Sequence, residues 1–90
     1  MKLIKIGAVW CSGCLVMRPR WQEIEKMHPW LKTQYFDFDQ DKKEVEKYEV
    51  DGGRLPAFIF LDKRGKEFLR LTGEHSKEEL IKIILENKNK

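Results

Sequence analysis

Cysteine is scarce in this sequence. There are only two, Cys11 and Cys14, and with so few the chain is not a disulfide-stapled scaffold. No third or fourth cysteine is available to complete a zinc site. The spare ligands are His28 and His75, whereas zinc usually takes four. Long apolar runs are also missing. The opening stretch, Met1-Lys2-Leu3-Ile4-Lys5-Ile6, is short and is broken by Lys5. It reads as neither a signal peptide nor a membrane span, so a cytoplasmic protein with no membrane partner is expected. Charge of one sign does not dominate: the net charge is +3, and much of the surplus comes from Lys82, Lys88 and Lys90. No dense Lys/Arg block with interleaved aromatics occurs, which argues against a nucleic-acid partner. Linkers, repeats and low-complexity segments are absent. At 90 residues the chain makes one domain, 1–90, with 87–90 expected to fray.

What is present is concentrated in Trp10-Cys11-Ser12-Gly13-Cys14. An apolar run over 3–9 precedes it and reads as a central strand covered on both faces. Gly7 and Ala8 are small enough to let another group approach closely near that strand's end. An amphipathic helix is predicted over 11–27, with Val16, Met17, Trp21, Ile24 and Met27 on its apolar side. Pro19 lies inside it and predicts a kink rather than a stop, and His28-Pro29 ends it. Residues 34–39 alternate: Phe36 and Phe38 point one way, Tyr35, Asp37 and Asp39 the other. A second, shorter helix follows, opened by an Asp41/Glu44 capping box, with Val45 and Tyr48 apolar. Asp51-Gly52-Gly53 makes a turn. The run 57–61 is a buried strand entered through Leu55-Pro56. Asp62-Lys63-Arg64-Gly65 turns the chain back into a strand over 67–71. Ser76 with Glu79 opens a last helix bearing Leu80, Ile81, Ile83, Ile84 and Leu85.

The order β-α-β-α-β-β-α predicts an α/β domain: a parallel βαβ unit joined to a hairpin, in a four-stranded mixed sheet with helices on both faces. Two cysteines one helical turn apart, at a strand-to-helix junction, suit thiol–disulfide exchange. A structural pair or half a metal site are the alternatives.

These residues resemble the thioredoxin family over about 3–85. The carriers are Trp10-Cys11-x-x-Cys14 at the junction, Pro19 five residues later and Asp39-Gln40 closing the second strand. Leu55-Pro56 before the third strand, Gly73 after the fourth and the amphipathic last helix complete the set. The resemblance implies a thioredoxin-like fold with strand order 2-1-3-4. Full-length members carry an extra strand and helix ahead of this unit, so the chain looks like a trimmed version, nearer glutaredoxin in length. Glutaredoxins usually place Pro-Tyr between the cysteines and Gly-Gly with an acidic residue after the last strand. Thr72-Gly73-Glu74-His75 stands there instead, which speaks against glutathione binding.

The resemblance also implies roles. Cys11, at the helix N-cap, is the expected nucleophile, its thiolate favoured by free N–H groups and the helix dipole. Cys14 resolves the mixed disulfide. Trp10 offers a partner an apolar surface. Ser12 and Gly13 replace the usual Gly-Pro and tune the potential, with the Ser12 hydroxyl able to donate toward the thiolate. Pro56 corresponds to a cis-proline facing the cysteines, with the Leu55 backbone and Gly73 beside it for a substrate strand. A plain trans proline at strand entry is the alternative. No bound cofactor is implied. The expected partners are protein disulfide substrates and a thioredoxin-reductase-like donor or small thiol, and a monomer is the default.

Lys5 departs from the family. A buried aspartate usually stands there and helps to deprotonate the second cysteine, and Tyr35 stands where its partner lysine usually does. Lys5 is expected beneath Cys14, touching Asp37 or Tyr35 and favouring the Cys14 thiolate by charge. His28 and His75 read as exposed loop residues. Glu23, Glu25, Lys26, Lys42 and Lys43 read as a solvated face.

Overall fold

A computed structural model describes residues 1–90. The chain runs β1 (Lys2–Gly7), α1 (Ser12–Met27), β2 (Lys32–Asp37), α2 (Lys42–Lys47), a 3-10 turn (Gly52–Arg54), β3 (Ala57–Leu61), β4 (Glu67–Thr72) and α3 (Lys77–Glu86). The sheet order is β2-β1-β3-β4. β1 pairs parallel with β2 and antiparallel with β3, and β3 pairs antiparallel with β4. This is the mixed sheet the sequence predicts.

Alternation along β1 sorts its side chains to two cores. Leu3 joins Met17, Trp21 and Ile24 of α1, Phe58 and Phe60 of β3, and Leu80 and Ile84 of α3. Ile4 and Ile6 point to the opposite face, with Val45 of α2, Ala57, Ile59 and Leu61. Phe36, Phe38 and Tyr48 pack against that second cluster. Helices therefore cover both faces. Every residue of β3 is buried, as its unbroken apolar run requires.

Local chemistry sets the ends. The Ser76 hydroxyl accepts from the Glu79 N–H and starts α3. Gly65 turns the hairpin with φ 80°, and the Asp62 carboxylate accepts from the N–H groups of Arg64 and Lys66. α1 continues through Pro19 to Met27. Beyond α3, the Asn87 side chain donates to the Ile83 carbonyl, and the Lys88 and Lys90 amines lie over the rings of Trp30 and Phe68.

Four expectations need correction. Val16 and Met27 are exposed, because the buried stripe of α1 is Met17, Trp21 and Ile24. Asp41 makes no side-chain cap for α2. Its carboxylate accepts from the Asp37 N–H and closes the turn after β2 instead. The histidines are half-buried and bonded rather than free in solvent: His28 Nδ1 lies 2.9 Å from the Ile24 carbonyl, and the His75 ring bridges the Thr72 carbonyl and the Glu79 carboxylate. Glu25 is not simply solvated, since it receives both Lys5 and Thr33.

Candidate active site

β1, an interior strand, delivers the chain to one end of the sheet, and a turn at Val9-Trp10 aims it into α1. Cys11 is the N-cap residue of α1, in extended backbone at φ −91°, ψ 114°. Its Sγ accepts from the Cys14 N–H at 3.2 Å. A cysteine here does what serine or aspartate does at other caps: it receives an orphan N–H of the first turn. No acidic residue stands in that first turn, so the positive end of the helix is left to the sulfur. Both cysteines are free thiols, with Cys11 buried and Cys14 partly so.

Cys14 packs against β1 at Gly7. A Cβ at Gly7 would stand 3.0 Å from Cys14 Sγ and 3.3 Å from the Tyr35 hydroxyl. The missing side chain at position 7 is what lets the sulfur and the phenol settle over the strand. Burial, and after it the bond to Cys11, push the Cys14 thiol up to about 12. In the dithiol form Cys14 therefore holds its proton at neutral pH.

Opposite the cysteine turn stands Pro56. The Leu55–Pro56 bond is cis, as the resemblance implies. A Cβ on Gly13 would stand 3.1 Å from Pro56 Cδ, so the two loops face each other closely. The Gly73 N–H donates to the Pro56 carbonyl at 2.9 Å, from a backbone at φ 82° that glycine adopts readily. Leu55 is extended and lies outside the sheet's ladders, which begin at Ala57. The structure thus brings Cys11, Cys14, Gly13, Pro56, Leu55 and Gly73 to one end of the sheet. The side chain of Glu74, which the sequence reading did not single out, flanks the same spot near Gly13.

Trp10, next to Cys11 in the chain, is 57% exposed. Its ring meets Phe38 edge-on, and its indole N–H donates to Asp39 at 2.7 Å. That bond orients a large apolar face toward solvent. Ser12 is exposed, and its hydroxyl bonds to nothing within the chain.

The expected partners of Lys5 are corrected. The Lys5 amine bonds neither Asp37 nor Tyr35 but Glu25 of α1, at 2.7 Å. Asp37 is occupied elsewhere: its Oδ1 accepts from the N–H groups of Asp39 and Gln40 and shapes the turn after β2. Tyr35 is level with Lys5 in the parallel ladder and shares its face, yet its hydroxyl reaches toward Cys14. Glu25 also accepts from Thr33, so one carboxylate ties α1 to both parallel strands. The signal that could have found it is positional. Glu25 follows the buried Ile24 directly, on the shoulder of the helix above β1.

Beside Cys14 a cleft of about 120 Å³ is lined by Ala8, Val9, Cys14, Leu15, Arg18 and Tyr35. Larger hollows lie elsewhere, one of them about 400 Å³ beside Trp30 at the far end of the sheet. Of these hollows, the smaller cleft is the one lined by a thiol.

The profile of the Thioredoxin family matches residues 1–86. An H-type thioredoxin of Brassica oleracea is 29% identical over 85 residues, covering 94% of this chain and 66% of the relative. A thioredoxin of Chlamydia pneumoniae is 30% identical over 82 residues, covering 91% of this chain and 78% of the relative. The chain thus spans just under two thirds of the length of the plant relatives it matches. Among solved structures, a thioredoxin of Fasciola hepatica superposes with a TM-score of 0.84 at 28% identity, over 96% of this chain and 79% of the other. The thioredoxin NaTrxh of Nicotiana alata does so with 0.83 at 28% identity, over 96% and 71%.

Proposed function

The chain belongs to the thioredoxin family, and we propose that it is a thiol–disulfide oxidoreductase that reduces or exchanges disulfides in partner proteins through Cys11 and Cys14. The observation that carries this reading is the placement of Cys11 Sγ at the cap of α1, with Cys14 one turn on and cis-Pro56 packed close to Gly13 between them.

The Cys11 thiolate attacks one sulfur of a substrate disulfide. A Cys11–substrate bond forms and the other substrate sulfur leaves as a thiolate. Cys14 then loses its proton and attacks Cys11 Sγ. The Cys11–Cys14 bond forms, and the substrate departs with its second sulfur reduced. A reductase of the thioredoxin-reductase kind, or a small thiol, returns two electrons to the pair. The substrate lies along the extended Leu55 backbone between Trp10 and Gly73, held by main-chain pairing rather than by a deep pocket. That arrangement suits unfolded or extended segments around a disulfide.

The test is reduction of insulin by dithiothreitol in the presence of the protein. Turnover is expected for the wild type and none above background for Cys11→Ser. Cys14→Ser is expected to accumulate a mixed disulfide, seen by mass spectrometry. Wild-type protein that gives no acceleration would overturn the proposal.

A further inference from the structure

Resolution by Cys14 needs a thiolate at a sulfur that the fold has partly taken out of water, and that burial disfavours the charge. No carboxylate is hydrogen-bonded to that sulfur, although Asp37 is level with Gly7 in the ladder. Lys5 occupies the strand position below it, and its charge is matched by Glu25. Asp37 is spent on its own turn. Besides a backbone bond from Ala8, the polar side chains left beside it are Arg18 and Tyr35. The Tyr35 hydroxyl and Cys14 Sγ crowd the same point above Gly7, at 3.3 and 3.0 Å, and both line the cleft that Arg18 also borders.

We propose that the Tyr35 hydroxyl is the hydrogen-bond donor that stabilises the Cys14 thiolate as it forms in the resolving step. This rests on the dithiol-exchange reading of the site and adds the group that supports its second half.

The chemistry favours a bond made only on ionisation. No hydrogen bond joins Tyr35 to the neutral Cys14 thiol, and a neutral thiol is a weak acceptor. A thiolate is a strong one, and hydrogen bonds to charged groups are about twice as strong as neutral ones. The interaction is therefore gained along the reaction rather than before it, which is what lowers a barrier. Burial, and after it the charge of Asp37, raise the Tyr35 pKa, so the phenol keeps its proton at neutral pH and acts as a donor, not a base. The proton of Cys14 leaves to water at the mouth of the cleft. The thiolate electron pair then makes the bond to Cys11 Sγ, and the bond from Cys11 to the substrate sulfur breaks. The titratable and charged groups around Cys14 are Cys11 and Arg18 on α1, Tyr35 and Asp37 on β2, and the Lys5–Glu25 pair further down the sheet. Glu74 approaches from the far side of Gly13.

Two measurements test this. The first titrates Cys14 by its rate of alkylation with iodoacetamide against pH, in a Cys11→Ser background with and without Tyr35→Phe. Loss of the hydroxyl is expected to slow alkylation about tenfold at fixed pH by moving the profile to higher pH, since one hydrogen bond to a charged group has about that effect. The second follows the reduced full chain, with Cys11 intact, reacting with dithiobis(nitrobenzoate). Tyr35→Phe is expected to leave the first thionitrobenzoate release at the wild-type rate and to slow the second about tenfold. The unchanged first phase also reports that the variant is folded. Superimposable Cys14 profiles with and without the hydroxyl would overturn the role of Tyr35. A wild-type chain that releases no second thionitrobenzoate would instead overturn the dithiol-exchange reading, while the Cys14 titration still decides the hydrogen bond.

Discussion

A methyl group at position 7 would press on the Cys14 sulfur at 3.0 Å and on the Tyr35 oxygen at 3.3 Å. Both must give way by a few tenths of an ångström, in a region where neither can move into the strand. Gly7→Ala should therefore cost about 1–2 kcal/mol by overpacking, and should slow the second step of exchange more than the first. Urea denaturation and the two-phase thionitrobenzoate release measure the two effects. Cys14 itself predicts a pH dependence. Burial pushes its thiol up to about 12 in the fold from an ordinary 9.0, so above pH 9 the unfolded chain sheds a proton that the folded chain keeps. Stability contributed by this group is whole below pH 9 and is lost as pH rises toward 12. The melting temperature of the reduced protein should fall more steeply across that window than that of Cys14→Ala. The two cysteines, Trp10 and Pro56 were legible because each is a rare residue at a fixed spacing. The partner of Lys5 was not, because a strand pattern names neighbours within the sheet but not the side chain that a helix lowers onto it.

At the scale of elements, α1 carries the site and must be held at a fixed height over β1. Part of that hold is apolar, through Met17, Trp21 and Ile24. Part is polar, through Glu25, which accepts from Lys5 of β1 and Thr33 of β2. Glu25→Ala leaves a largely covered ammonium without a partner and should cost about 1.5–3 kcal/mol in urea denaturation. Replacing both partners, Lys5→Met with Glu25→Leu, should recover most of that loss, because no charge is then left unpaired. A double variant as unstable as the single one would show that the pair does more than satisfy itself. At the other end of the fold, Ser76→Ala removes the N-cap of α3 and should cost about 1 kcal/mol. The contrast between Ser76 and Asp41 is instructive. Both sit three residues before a glutamate, and only Ser76 caps, because the Asp41 carboxylate is drawn to the Asp37 N–H by the turn that precedes it.

For the whole molecule, two modest clusters on either side of one sheet supply the stability. Domains of this size are stable by only about 5–15 kcal/mol. Trp21 is the largest fully buried side chain and lies between Phe58 and Phe60. Trp21→Ala should remove about 3–5 kcal/mol, a large share of the total, and the urea midpoint should fall accordingly. Its indole N–H has no partner in the fold, so Trp21→Phe should cost distinctly less than the change in volume alone suggests. Since α1 packs on the sheet through this ring, the thiol site depends on a residue well away from it.

The sequence by itself determined the element order, the face that each strand presents and the position of both thiols. Those follow from local periodicity and from turn residues, which act over a few positions. The α/β fold with strand order 2-1-3-4 was legible through the family pattern and stands in the sheet. Only the tertiary structure decided what surrounds Cys14. Gly7, Tyr35 and Arg18 come from three elements, and Lys5 is claimed by Glu25, twenty residues away along the chain. Which of several eligible side chains meets a buried charge depends on the height and rotation of α1 over the sheet. Those are set by the packing of Trp21 and Ile24, which no spacing in the sequence encodes.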